Sequence, residues 1–257
     1  MNRGDDKDGA NGPIPKAATW SDNTFADLYV DTASMIIVDR LRMIELAKKF
    51  HSRFIGKGKE AKVLDLGCGE GTFAYALKEE DPSISVTLLD GSKGMLDKAR
   101  ERFGGSEDVK YVNRSFEDML GKDIGLGRFD LVISSMALHH LTRKDKKRMF
   151  KIILEHLEEG GWFMNIDAVL PETASLEDWY ISLWEEHVLA EKGRMQVDFD
   201  HNAIIYGHHQ AADHHANLDP LEHQLAWLRL VGFKSVDVVM KNGIFSIFCG
   251  QKPRKGA

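Results

Sequence analysis

The residues Lys62–Gly71, KVLDLGCGEG, constrain this chain more than any others. Val63 and Leu64 open a buried strand. Asp65, Gly67, Gly69 and Gly71 then mark a tight passage from strand into helix. Glycine carries no side chain, so a polar ligand can approach the backbone there. The next strand, Ser85 to Leu89, ends in Asp90, about 20 residues beyond the last glycine, where a carboxylate accepts hydrogen bonds from a ribose diol. Together the loop and the acid read as a nucleoside-cofactor site. The competing reading is an ordinary βα turn of an α/β protein.

The pattern around this stretch is βαβ. Strands are expected at Lys62–Leu66, Ser85–Asp90, Val109–Val112, Phe129–Ser134 and Trp162–Ile166. Helices are expected at Gly71–Glu79, Gly94–Arg102 and Asp145–Leu157, the last stopping at Gly160-Gly161. Leu131, Val132 and Ile133 are continuously apolar, as in a strand covered on both faces. Strands alternating with helices of this length imply a three-layer α/β fold with a mostly parallel sheet. The alternation is interrupted after residue 170 by a long helix, Ala174–Glu191, with Leu176, Trp179, Tyr180, Leu183, Trp184 and Val188 along its apolar side. A helix at Leu218–Val231 follows, then Ser235–Met240 and Ile244–Gly250. An Asn242-Gly243 turn is expected to join these two into an antiparallel pair.

The expected organisation is a tail at 1–19, an N-terminal helical lid at 20–58 and the cofactor-binding half of the sheet at 59–170. A helical insertion or substrate cap at 171–217 follows. The last helix and hairpin occupy 218–251, and a tail occupies 252–257. In the lid, Trp20, Phe25, Leu28 and Tyr29 suit one side of a helix, and Met35–Phe50 reads as one continuous helix.

With 257 residues and 43% apolar composition, the chain can bury a sizeable core. Its net charge of -6 argues against a nucleic-acid partner, which usually meets a basic face. The densest basic run, Arg143 to Arg148, reads as the solvated face of a helix. Two cysteines, Cys68 and Cys249, make no disulfide framework and suit a cytoplasmic protein. No run of 18 apolar residues exists to span a membrane. A monomer or homodimer is expected.

These pieces carry a family signature. VLDLGCGEG at 63–71, LLDGSKGML at 88–96, FDLVISSMALHHL at 129–141, the glycines before Trp162 and the hairpin after WLRLVGF at 227–233 resemble the class I S-adenosylmethionine-dependent methyltransferases, small-molecule branch. The resemblance implies a Rossmann-like, seven-stranded sheet with an antiparallel last strand, and S-adenosyl-L-methionine as cofactor. It implies that Asp65 orients the cofactor and that Gly67, Cys68 and Gly69 face its methionine moiety. Asp90 would accept from the ribose, and Gly91 and Met95 would line the adenine. Ser134 and Ser135 would lie near the methionine portion. The adenine amino group is commonly held by an acid after the third strand, whereas here the matching residues are Ser115 and Phe116. Ser115 with the Phe116 backbone, or else Glu117 or Asp118, would take that role. A dinucleotide oxidoreductase is the nearest rival, but its loop reads GxGxxG where this one reads GCGEG.

A sulfonium methyl group is already activated, so an enzyme must chiefly align the nucleophile and exclude water. A base is needed only where the acceptor arrives protonated. The candidates are His139 and His140 after the fourth strand, Asp167 at the end of the fifth and Tyr29 on the lid; each could instead be a packing residue. No metal is expected. His208, His209, His214 and His215 are dense enough to touch substrate, but adjacent histidines match no zinc spacing. The sequence SSMA at 134–137 lacks the Pro-Pro run common in base-methylating enzymes of this fold, which favours a small acceptor, methylated at N or O. Two other classes stay open. One is attack on the cofactor's own aminobutyrate arm, giving a four-membered cyclic amino acid and methylthioadenosine. The other is a non-catalytic cofactor-binding subunit.

Overall fold

A computed structural model describes residues 33–122, 124–197, 200, 205 and 215–255. Seven strands form one sheet: β1 (Lys62–Leu66), β2 (Ser85–Asp90), β3 (Val109–Asn113), β4 (Phe129–Ser135), β5 (Leu157–Ala168), β6 (Lys234–Asn242) and β7 (Phe245–Gln251). Their spatial order is β3-β2-β1-β4-β5-β7-β6. The pairs from β3 to β5 are parallel, and β7 runs antiparallel to both of its neighbours. This is the Rossmann-like methyltransferase arrangement expected from the resemblance, with its last strand reversed.

Helices among the described residues include α1 (Arg40–Phe50), α2 (Thr72–Glu80), α3 (Lys93–Phe103), α4 (Phe116–Gly121), α5 (Arg143–His156), α6 (Ala174–Met195) and α7 (Leu221–Val231), and residues 33–36 are helical before α1. They cover both faces of the sheet. On one face Val63, Val86, Leu88, Leu131, Ile133 and Ile247 pack against α1, α2, α3 and α6. On the other, Leu64, Leu66, Leu89, Val132, Phe163 and Phe248 pack against α4, α5 and α7. Alternate residues of one strand enter opposite cores because side chains alternate across a pleated sheet.

Several expected boundaries move. The helix expected over Met35–Phe50 is broken. Asp39 takes a left-handed conformation at φ 58°, with its carboxylate accepting from Asn242 Nδ2 at 2.8 Å, and α1 starts at the next residue. Aspartate tolerates that conformation better than most residues. Leu41, on this helix, points to solvent. A π-helical turn, His51–Ile55, extends α1. The Gly160-Gly161 pair does not end a helix. α5 stops at His156, and the two glycines form a bulge inside β5, between the Phe129–Leu157 and Leu131–Trp162 partners. A Cβ on Gly161 would meet three carbonyl oxygens at 2.9–3.1 Å, so only glycine lets β5 close on β4 there. The final hairpin turns at Gly243-Ile244, with Gly243 at φ 56° in the first central position, rather than at Asn242-Gly243.

The insertion helix α6 also differs from its expected face. Ile181, Trp184 and Val188 are buried, whereas Leu176, Trp179 and Leu183 are exposed. Trp184 Nε1–H donates to the Ile36 carbonyl at 2.7 Å, and its ring meets Phe245 edge-on at 5.6 Å. Thus α6, the N-terminal segment and β7 share one core. The basic run on α5 is not uniformly solvated either. Lys146 is buried and its ammonium lies 2.9 Å from the buried Asp219 carboxylate. Arg143 reaches the same carboxylate at 2.7 Å from the surface.

Candidate active site

The carboxyl ends of β1, β2, β4 and β5 lie along one edge of the sheet because these strands are parallel neighbours. Ligands of open α/β sheets bind beyond that edge, where the strand order reverses. Here the reversal falls between β1 and β4.

The glycine loop leaves β1 and is held against β2. The Gly67 and Cys68 amides donate to the Leu89 carbonyl at 2.8 and 3.0 Å. The Gly69 amide donates to Asp90 Oδ2 at 2.8 Å, and the Ser92 amide to Asp90 Oδ1 at 2.7 Å. Both carboxylate oxygens of Asp90 are therefore oriented, each with lone-pair capacity remaining. Asn113 Nδ2 donates to the Asp90 and Gly91 carbonyls, both at 3.0 Å, which fixes the β2 end. Burial pushes the Asp90 carboxyl up, against the pull of its two amide donors.

Gly67, Gly69 and Gly71 all have positive φ, but space separates their roles. A Cβ on Gly67 would lie 2.5 Å from the Ala137 Cβ and 3.0 Å from the Phe116 ring. A Cβ on Gly69 would meet nothing within 4 Å. Gly67 is therefore required for packing, and Gly69 presents open backbone.

Asp65 sits beneath the loop. Its Oδ2 accepts from the Ala74 amide at 3.3 Å, while its buried Oδ1 has no hydrogen-bond partner. Burial raises its carboxyl to about 7, against that amide bond and with the Asp90 charge adding to the rise. The same two carboxylates, after burial, hold the Cys68 thiol well above its ordinary range. Met95, on α3 beyond the Ser92 cap, is buried.

Two expected contacts are already engaged within the protein. Ser134 Oγ donates to the Leu66 carbonyl at 2.7 Å and is fully buried, so its hydroxyl stitches β4 to β1. Ser115 and Asp118 form a reciprocal capping box at the start of α4, with bonds of 3.2 and 3.0 Å. Neighbouring Phe116 backs the loop through Gly67, and Ser135 is half-buried at the end of β4.

The other half of the edge brings His139 and Asp167 together. His139 follows β4 in a short 3-10 turn, Leu138–His140. Its ring Nδ1 bonds Asp167 Oδ1, and its backbone amide donates to Asp167 Oδ2 at 3.0 Å. Asp167 also accepts from the Ala168 amide at 3.0 Å and Asn165 Nδ2 at 3.4 Å. Burial pushes Asp167 up to about 6; Lys146 leads the groups that pull it back, followed by the Ala168 amide, His140 and Asn165. The His140 ring tilts over that of His139 at 4.1 Å.

The N-terminal segment reaches the loop as well. Arg40 donates to Thr72 Oγ1 at 3.2 Å, and Glu70 pairs with Arg102 at 2.6 Å and with Arg40 at 4.0 Å. Tyr29, His208, His209 and His214 lie outside the described residues. His215 is described, and its Nε2 lies 2.8 Å from Glu177 on α6. Sequence reading missed the Asn113 clamp, the capping box and Lys146. Ser115 three residues before Asp118 was the available signal for the box.

The family model described as "Methyltransferase domain" matches residues 63–161, the span from the glycine loop to the β5 bulge. A malonyl-[acyl-carrier protein] O-methyltransferase of Paenibacillus sp. is 30% identical over 127 residues, covering 48% of this chain and 45% of that protein. The ribosomal RNA small subunit methyltransferase C of Serratia proteamaculans is 30% identical over 149 residues, covering 56% and 40%. The chain thus spans less than half the length of these relatives. Among solved structures, an O-methyltransferase family protein from Burkholderia thailandensis superposes with a TM-score of 0.65 at 16% identity, covering 91% of this chain and 61% of that one. The domain built around the glycine loop thus matches a methyltransferase domain in sequence and shares the fold of O-methyltransferases.

Proposed function

We propose that this protein transfers the methyl group of S-adenosyl-L-methionine to an N or O atom of a small-molecule acceptor. The observation that carries this reading is the pairing of two half-sites on one sheet edge. The Asp90-clasped glycine loop stands on β1 and β2, and the His139–Asp167 pair stands on β4 and β5. The cofactor fits the first half on two counts. Asp65 Oδ1 is an orphaned buried acceptor, suited to a cationic amino group, and Gly69 offers open backbone. When bound, the cofactor supplies a methyl group on a sulfonium, already electrophilic.

This chain's residues then do the rest. Asp90 accepts from the ribose hydroxyls, and its own amide donors keep it aimed. Asp65 faces the amino group from below the loop. Gly67, Cys68 and Gly69 line the methionine moiety, and Gly91 and Met95 line the adenine. With Ser115 committed to its capping box, the Phe116 backbone is left to meet the adenine amino edge. Ser134 holds the loop's base through Leu66, and Ser135 stands beside it. His139 and His140 receive the acceptor's proton or orient the acceptor, and Asp167 fixes the His139 ring.

The net charge of -6 and the proline-free SSMA segment support a small acceptor over a nucleic acid. Two free cysteines suit a cytoplasmic setting. Among the described residues no helix is long and apolar enough to cross a membrane.

The test is mass spectrometry of the nucleoside product, with small amines, phenols and carboxylic acids offered as acceptors. S-adenosylhomocysteine with a methylated small molecule is the expected result. Methylthioadenosine above the non-enzymatic background would move the reading to attack on the aminobutyrate arm. Methylated RNA in a parallel arm would overturn the acceptor class, and bound but unconsumed cofactor would indicate a non-catalytic subunit.

A further inference from the structure

Lys146 is a lysine with almost no exposed surface, deep in a helix whose other basic residues face water. Burying an ammonium is costly unless it is paired and fully bonded, so such a residue needs a reason to persist. Its partners all belong to the segment that returns from the insertion. Lys146 Nζ donates to the Asn217 carbonyl at 2.8 Å and to Asp219 Oδ2 at 2.9 Å.

That segment is also fixed to both halves of the acceptor side. Asn217 Nδ2 donates to the His140 carbonyl at 3.1 Å. The Leu170 amide, three residues beyond Asp167, donates to the Asp219 carbonyl at 3.1 Å, and Leu170 forms an isolated bridge with Pro220. Gln224 Nε2 closes the knot on the Asp219 carbonyl at 3.1 Å. The two ends of the insertion, at 170 and 217–220, are therefore tied to each other and to the His139–His140 turn. One buried ion pair lies at the centre.

We propose that Lys146 is a positioning residue for the acceptor side of the cleft: with Asp219 it locks the base of the insertion to the His139–His140 turn and so sets the surroundings of the His139–Asp167 pair. The inference rests on the assignment of His139 and Asp167 to the acceptor side. The charged groups that face Asp167 are His139 and His140 from the 3-10 turn and Lys146 from α5, with Asp219 and Arg143 behind Lys146. Lys146 supplies a positive charge there without touching the acceptor.

The experiment reads the pair directly and needs no acceptor. The Asp167 side-chain carboxyl is followed by carbon NMR across pH, together with the downfield Nδ1 proton of His139, assigned with His139→Asn. The proteins are the full chain, Lys146→Met, and Lys146→Met/Asp219→Asn. The double variant guards against misfolding, because it leaves no buried carboxylate unpaired. In Lys146→Met the Asp167 midpoint is expected to rise by roughly 1 in pH, the size of effect a nearby opposite charge exerts, and in the double variant by less, because a negative charge leaves with the positive one. The His139 proton is expected to vanish at correspondingly higher pH. S-adenosylhomocysteine affinity stays at the parent value, because the glycine loop stands at the other end of the site; a merely structural lesion would lower it. An Asp167 midpoint and a His139 proton both unchanged in folded Lys146→Met overturn the proposal. Loss of the methyl-transfer reading itself would show separately, as no consumption of S-adenosylmethionine by a parent protein whose Asp167 titration still depends on Lys146.

Discussion

Asp90 Oδ2 accepts the Gly69 amide at 2.8 Å, so the acid that ends β2 also holds the crest of the loop that leaves β1. One side chain thus shapes the loop and keeps lone pairs for the ribose of the proposed cofactor. Asp90→Ala should remove both roles, and Asp90→Asn should retain an acceptor for one amide. Loss of a charged hydrogen-bonding partner is worth about 1.5–3 kcal/mol, or roughly 10- to 150-fold in affinity. Isothermal titration with S-adenosylhomocysteine should show that loss in Asp90→Ala, with a smaller one in Asp90→Asn and near-native circular dichroism in both. Unchanged affinity in a folded Asp90→Ala protein would remove the residue from the site.

Gly67 and Gly69 should respond differently to the same methyl group. In Gly67→Ala the left-handed backbone and the 2.5 Å approach to Ala137 act together. Strain and overpacking place the cost at roughly 2–5 kcal/mol, read as a fall in denaturant midpoint. Gly69→Ala pays only the backbone term, about 1–2 kcal/mol. Its methyl group projects into the open space where the cofactor is proposed to lie. Affinity should therefore fall further than stability there, and the reverse should hold for Gly67→Ala.

Asp65 makes two pH-dependent predictions. Its carboxyl is raised from 3.8 to about 7 in the folded protein, so between those values the native state holds a proton that the unfolded chain has released. Stability of the cofactor-free protein should therefore fall as pH rises from about 4 to 7, and Asp167, raised to about 6, adds in the same direction. Melting temperatures at pH 5.5 and 8 should show this decline, reduced in Asp65→Asn. Cofactor affinity should move oppositely. A cationic ligand favours the ionised carboxylate, so binding of S-adenosylmethionine should strengthen from pH 6 to 8 in the parent and lose most of that rise in Asp65→Asn. Parallel titration curves for the two proteins would contradict the placement of Asp65 against the amino group.

Trp184 joins the insertion to the N-terminal segment through its bond to the Ile36 carbonyl. Trp184→Phe keeps the ring against Phe245 but leaves that carbonyl unsatisfied, which costs about 1–3 kcal/mol. Hydrogen exchange should quicken over residues 33–37 while protection of β1 and β4 persists. Uniform loss of protection across the sheet would mean instead that the segment is integral to the whole fold.

The glycine loop, Asp90 and the alternation of strands with helices were legible in the sequence because local chemistry dictates each, whereas the reversed last strand was an expectation of the family resemblance. Glycine at fixed spacing, an acid at a strand end and unbroken apolar strands need little context. Lys146 was not legible. A lysine in a basic helical run looks solvated until the fold delivers Asp219 from 73 residues away. The exposed Trp179 and buried Trp184 are equally apolar in sequence, and tertiary packing alone decides which one meets β7. Gly160-Gly161 misled for a different reason. Paired glycines stop helices and also permit bulges, and the choice depended on how closely the Phe129 and Asp130 carbonyls approach. Ser134 and Ser115 were read as ligand contacts because a free hydroxyl and a satisfied one look alike in a sequence.

The antiparallel β7 carries a consequence for synthesis on the ribosome. β7 fills the gap between β5 and β6, so β5 gains its second neighbour only after residues 245–251 have been made. At about 5–20 residues per second, the chain between the end of β5 and the start of β7 takes on the order of 10 s to emerge. For that interval the nascent protein exposes a raw strand edge open to pairing with other chains. The insertion lies wholly inside this window, so every residue added there lengthens the wait.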